Sequence, residues 1–141
     1  MTVLIDTSFL VALAVQSDSN HASAVQALPK LKGERVLPVP VMPESFYMVS
    51  VRLHYGAAVK LYRYMQTADF KIEPLTSSDR LRMGEIMTQY LDAEFDFVDL
   101  ALMTIAERLN INQVCTFDKR DFSIFRPKHT SHFEILPSST P

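Results

Sequence analysis

Four acidic side chains carry the chemical interest of this sequence: Asp6, Glu44, Asp99 and Asp118. Two unit charges about 5 Å apart repel by roughly 3 kcal/mol at an effective dielectric of about 20. A set of four facing one another would raise its own pKa values or gather cations. Hard divalent ions with oxygen ligands, Mg²⁺ or Mn²⁺, relieve that repulsion directly. Such ions turn water into a nucleophile and stabilise a leaving oxygen at a phosphodiester. This chemistry requires elements that bring four distant residues to one place.

The apolar pattern supplies such elements. Val3-Leu4-Ile5 is a continuous apolar run, too short for a helix and suited to a strand buried on both faces, with Asp6 at its end. Val36-Leu37 and Val114-Cys115-Thr116 read as further short strands, the latter followed at once by Phe117-Asp118. Phe70 and Ile72 alternate with Lys71 and Glu73 in a short strand that Pro74 closes at a sheet edge, and Phe133 to Leu136 alternates as an edge strand does. Helices fall between. Ser8 reads as the cap of one through Phe9 to Val15. Ala22, Val25 and Leu28 mark one face of a second, ended by Pro29. A helix starting near Pro43 puts Glu44 in its first turn and runs to about Tyr55, with Gly56 as its cap. Ala58, Leu61, Tyr62 and Met65 complete a helical hairpin. Ser77 or Ser78 caps a helix with the stripe Met83, Ile86, Met87, Tyr90 and Leu91. Asp96 caps the next, with Asp99 at its third position, the stripe Val98, Ala101, Leu102, Ile105 and Leu109, and Asn110 at its end.

Strands alternating with helices imply a three-layer α/β/α sandwich with a mainly parallel central sheet. In such a sheet, strand ends and helix starts share one edge, so the four acids would converge there. Each acid alone has a plainer reading. Asp99 and Glu44 suit helix first turns by charge, and Asp118 suits a turn. Together at one edge they favour a metal site. Thr7, Ser8 and Thr116 are hydroxyls placed to orient a carboxylate or a water, or simply to serve turns and caps. Asp96 assists the metal or only caps its helix. Asp121 orients the loop around Asp118 or pairs with Arg120. Lys119, Arg120, Arg126 and Lys128, with His129, are the candidates for gripping nucleic-acid phosphate. His129 and His132 have no second ligand pair for zinc. Cys115 reads as inert core.

A chain of 141 residues suits one domain, residues 1–141, with a loose tail from about 137. Hydrophobic residues at 48% exclude a disordered chain, and a net charge of -2 excludes a strongly basic coat. A lone cysteine offers no internal disulfide, and Phe9 to Val15 is too short to span a bilayer. A cytoplasmic protein without membrane attachment is expected. Two rival functions share the fold class. One is a non-catalytic RNA- or partner-binding module. The other is a metal-dependent phosphohydrolase working through an aspartyl-phosphate, which wants an Asp where Ser8 stands. A phosphorelay receiver would need acids within Thr2 to Ile5, where none occurs.

The segments VLIDTSFLVAL from Val3, PESFYMV from Pro43, FVDLALMTIAERL from Phe97, TFDKRDFSIFRPKH from Thr116 and FEILP from Phe133 together resemble the PIN-domain family, and within it the VapC toxins of bacterial toxin–antitoxin pairs. The resemblance covers essentially the whole chain. It implies metal-site acids at Asp6, Glu44, Asp99 and Asp118 and Mg²⁺- or Mn²⁺-dependent cleavage of RNA. It also implies a small antitoxin that occludes the site and a homodimer. The aromatic and methionine surface of the Phe46 to Met65 hairpin is a candidate contact for the antitoxin or a second subunit.

Overall fold

The computed structural model describes residues 1–138, so the expected tail beyond Ser138 lies outside the described residues. Five strands, β1 Thr2–Ile5, β2 Glu34–Pro38, β3 Lys71–Glu73, β4 Gln113–Cys115 and β5 Glu134–Leu136, form one sheet in the order β3-β2-β1-β4-β5. Every pairing is parallel. Among the described residues, seven α-helices accompany them: α1 Thr7–Ala14, α2 His21–Ala27, α3 Val41–Arg52, α4 Tyr55–Met65, α5 Ser77–Gln89, α6 Phe97–Leu109 and α7 Arg120–Ile124. Val3, Leu4 and Ile5 are all fully buried, which a strand achieves only when helices cover both faces of its sheet. The architecture is the α/β/α sandwich with a parallel sheet.

The strand order reverses at β1, which has β2 on one side and β4 on the other. In open parallel sheets, the crevice beyond the carboxyl ends of two such strands is the favoured ligand site. Ile5 pairs with Cys115, and the Asp6 N–H donates to the Cys115 carbonyl at 3.1 Å. The residues after β1 and β4 therefore leave the sheet side by side.

Helix α6 is the central helix of the fold. Every side chain from Val98 to Ala106 is buried. Its amino end is fixed by Asp96, whose carboxylate accepts from the Val98 N–H at 2.7 Å. Its carboxyl end is fixed by ion pairs. The Arg82 guanidinium of α5 donates to both Glu107 oxygens at 2.8 and 3.2 Å, a bidentate geometry. Arg108 donates to Asp79 at 2.9 and 3.1 Å and meets Glu73 at 3.0 Å. The rings of Tyr90, Phe95, Phe125 and Phe133 pack at centroid separations of 5.3 to 6.3 Å. That cluster clamps the segment leading into α6 to the segment leaving α7.

Several local expectations are corrected. Ser8 lies inside α1, and Asp6 is the residue that precedes the helix. In α2 the buried residues are Ala24 and Ala27, while Val25 is exposed. The helix carrying Glu44 begins at Val41 and ends at Arg52. A break at Leu53-His54 separates it from α4, and Gly56 is the second residue of α4 rather than a cap. The His54 ring takes the capping role, accepting from the Ala57 N–H at 3.1 Å. Neither Ser77 nor Ser78 caps α5. Thr76 does, in a reciprocal box with Asp79. Met87 and Leu91, expected in a buried stripe, are exposed. Helix α7 falls where the sequence reading places a loop.

The capping box gives a clean test of how far α5 supports the fold. Thr76→Ala should lower unfolding stability by about 1 kcal/mol with an unchanged denaturant slope. Urea unfolding followed by circular dichroism checks this.

Candidate metal centre

Beyond the ends of β1 and β4 lies a cleft of about 200 Å³, lined by Asp6, Thr7, Ser8, Glu44, Met48, Asp96, Asp99 and Asp118. Four elements deliver its five carboxylates. Asp6 follows β1, Asp118 follows β4, Glu44 is in the first turn of α3, and Asp96 and Asp99 open α6. The acids are graded by depth. Asp6 and Asp99 form the floor at 3% and 5% exposure, Glu44 is half-buried, and Asp96 and Asp118 stand at the exposed rim.

Hydroxyls fix the floor. The Thr116 hydroxyl donates to Asp6 Oδ2 at 2.6 Å and accepts from the Asp118 N–H at 3.0 Å. Ser8 Oγ lies 3.0 Å from Thr116 Oγ1 and accepts from the Phe117 N–H at 2.9 Å. One small network therefore binds the end of β1, the start of α1 and the turn after β4. The Thr7 hydroxyl lies close enough to Glu44 to favour its ionised form, yet it is buried without a bond of hydrogen-bonding geometry.

The electrostatics show how strongly these acids sense burial and one another. Burial pushes the Asp6 carboxyl up to about 6, against the pull of the Thr116 hydroxyl, and the charges of Glu44 and Asp118 add to the rise. Asp99 is driven strongly upward by burial, then by the adjacent Asp121 carboxyl and the charge of Asp6. Glu44 is raised by burial and then by Asp96 and Asp118, with Thr7 opposing. No Lys, Arg or His lines the cleft among the described residues.

The donor set fits one kind of group. Apart from the Met48 thioether, the side chains lining the cleft offer only carboxylate and hydroxyl oxygens, with neither imidazole nor thiolate, a donor set that suits Mg²⁺ or Mn²⁺ rather than a softer metal. Among the described residues no three such side chains are gathered tightly enough to form a closed metal-binding group.

The remaining sequence candidates take several places. Asp96 both caps α6 and lines the cleft. Asp121 stands behind Asp99. It pairs with Arg120 at 2.7 Å and accepts from the Asp96 N–H at 3.3 Å, so it buttresses the α6 start. Arg120 also donates to the Ala93 carbonyl, and Arg126 is turned onto the carbonyls of Ser123 and Phe125. The Lys128 N–H donates to Glu107, eight residues along α6 from Asp99 and so about 12 Å along the axis. His129 bonds the Ile111 carbonyl at 2.7 Å. Of the basic residues, Lys119 alone is beside Asp118 without an ion pair or hydrogen bond from its amine among the described residues. Met48 in the lining went unnoticed in the sequence, although its spacing of four from Glu44 puts both on one helix face. Cys115 is fully buried, and burial pushes its thiol up to about 12.

A family model described as the PIN domain matches residues 3–126. The chain is 24% identical over 135 residues to ribonuclease VapC26 of Mycobacterium tuberculosis, across 96% of this chain and 100% of that one. It is 23% identical over 121 residues to the 23S rRNA-specific endonuclease VapC20 of the same organism, across 86% and 92%. The crystal structure of that VapC20, described as a sarcin–ricin loop cleaving toxin, superposes with a TM-score of 0.79 at 20% identity, over 83% of this chain and 90% of that one. VapBC2 of Rickettsia felis, bound to a DNA fragment from its promoter, superposes at 0.69 and 17% identity, over 96% and 98%. At these identities the superpositions show the fold.

The raised Asp6 pKa carries a sign. A carboxyl at about 6 in the folded protein and about 4 in the unfolded one stabilises the fold below pH 4. That contribution is lost as pH rises through about 6. In EDTA, Asp6→Asn should therefore be more stable than wild type at pH 7.5, by about 2–3 kcal/mol, and equal to it near pH 4. Equal stability at both pH values would show that Asp6 is solvated as in the unfolded chain.

Proposed function

The chain belongs to the PIN domain family, and on that premise we propose that it is a divalent-metal-dependent endoribonuclease, the toxin of a toxin–antitoxin pair. The observation that carries this reading is the cleft of five carboxylates at the switch point of a parallel sheet. The names of its relatives, a ribonuclease and a ribosomal-RNA endonuclease, support RNA as the substrate.

Asp6, Asp99 and Asp118 would hold the metal. When bound, Mg²⁺ or Mn²⁺ supplies Lewis acidity toward a phosphoryl oxygen and a lower pKa for water. Glu44 is placed to accept the proton of the attacking water, because its half-buried position raises its proton affinity. Thr116 holds one oxygen of Asp6 in a fixed direction, and Ser8 holds Thr116. Asp121 and Arg120 brace the α6 start behind Asp99. Five carboxylates without cations repel an RNA phosphate, so RNA enters productively only with the metal. Lys119 is the side chain best placed to meet the phosphate beside Asp118.

The partner reading is a small antitoxin, supported by the VapBC assembly among the structural neighbours. A groove of about 370 Å³ between α1 and α4, lined by Leu13, Ala14, Ala57, Leu61 and Tyr64 with Lys60 at its side, offers an apolar seat. A homodimer would use the exposed Val51, Leu53 and Tyr55 around the α3–α4 break. No helix among the described residues is long and apolar enough to cross a membrane.

Purified protein incubated with total host RNA should release discrete fragments in Mg²⁺ or Mn²⁺ and none in EDTA. Asp6→Asn and Asp99→Asn should each cut the rate at least about 100-fold while remaining folded. Cleavage that persists in EDTA, or in both variants, would sink the proposal. Co-expression with the product of a small neighbouring reading frame should yield a complex that no longer cleaves. Ala57→Arg should weaken that complex at least about tenfold in pull-down titration, leaving RNA cleavage intact.

A further inference from the structure

Phe97 is an expensive residue to leave in water. It is 58% exposed at the first position of α6, between two acids that line the cleft, Asp96 and Asp99. Most aromatic rings in this fold pack on another ring. Among the described residues only Tyr47, Tyr62 and Phe97 do not. Tyr62 sits on α4, away from the cleft. Tyr47 continues an exposed stripe with Val51 at the next turn of α3, the pattern of a protein contact. Phe97 alone of the three lies in sequence between two acids of the cleft, just outside the residues that line it.

The charge arrangement makes such a ring useful. The cleft is acidic, and the nearby Arg120 and Arg126 are committed to local hydrogen bonds. Phosphate contacts therefore supply less affinity here than in most RNA-binding sites. Stacking of an unpaired base on an aromatic side chain is indifferent to that charge.

We propose that Phe97 is the stacking platform for the nucleobase next to the scissile phosphate, holding single-stranded RNA across the carboxylate cleft. This rests on the ribonuclease reading and adds to it the requirement for an unstacked base beside the cut. The test uses a short RNA spanning the mapped cleavage site. Phe97→Ala should raise KM about 5- to 100-fold with kcat little changed, and Phe97→Trp should restore it. Tyr62→Ala, which also removes an unpartnered exposed ring, should leave both constants unchanged. An abasic ribose beside the cut should raise the wild-type KM by a similar factor and add nothing in Phe97→Ala. Unchanged KM in Phe97→Ala with an active wild type would overturn the proposal. So would a halved molar mass in light scattering, which would make the ring a subunit contact. Binding of a single-stranded oligoribonucleotide is read separately by fluorescence anisotropy. Ring-dependent binding without any wild-type cleavage would sink the nuclease reading and leave the stacking role standing.

Discussion

Crowding of like charge is the constraint on which this structure turns. Five carboxylates share one small cleft, two of them buried, with no basic side chain lining it among the described residues. Nothing about those acids favours their meeting. The sheet forces it, because hydrogen bonds along β1 and β4 fix where Asp6 and Asp118 emerge. The positive ends of α3 and α6 offset part of the repulsion at Glu44 and Asp99. Thr116 and Ser8 add donors at the floor. Away from the cleft, paired arginines hold the far end of α6, and a ring cluster packs the segment that leads into it. The rest of the molecule is, in this sense, a clamp.

The strand ends were legible because short apolar runs have few alternatives. Val3-Leu4-Ile5 could only be a buried strand, and that fixed the address of Asp6. The α6 start was equally plain, since Asp96 and Asp99 fall at cap and first-turn spacing. What stayed hidden depended on competition between equivalent residues. Thr76, Ser77 and Ser78 are all good caps, and only Asp79, three residues after Thr76, breaks the tie by closing the reciprocal box. The α3–α4 break was hidden for a related reason. Gly56 carries the usual end-of-helix signal, but His54 caps α4 through its ring two residues earlier, a use of histidine with little local signature.

The basic segment after Asp118 teaches a different lesson. Lys119, Arg120, Arg126 and Lys128 look like a phosphate grip in one dimension. In three dimensions the two arginines are held at the surface by local bonds to Asp121 and to the Ala93, Ser123 and Phe125 carbonyls, and Lys128 meets the far end of α6 through its backbone N–H. Proximity in sequence to a catalytic candidate said nothing about direction. Asp121 shows the converse. Its neighbour in sequence is Arg120, but its consequence lies 22 positions earlier, beside Asp99. Buried polar groups take the partners that burial leaves them, and those partners are set by topology.

The last strand deserves a closing thought in terms of time. β5 pairs only with β4, and the Leu136 carbonyl accepts from the Thr116 N–H at 2.8 Å. Thr116 is also the residue whose hydroxyl grips Asp6. During synthesis from the amino end, Asp6 leaves the ribosome early, yet its keeper is not itself secured until residue 136 has followed. A growing chain therefore carries all five acids of the cleft before it carries the strand that pairs beside Thr116.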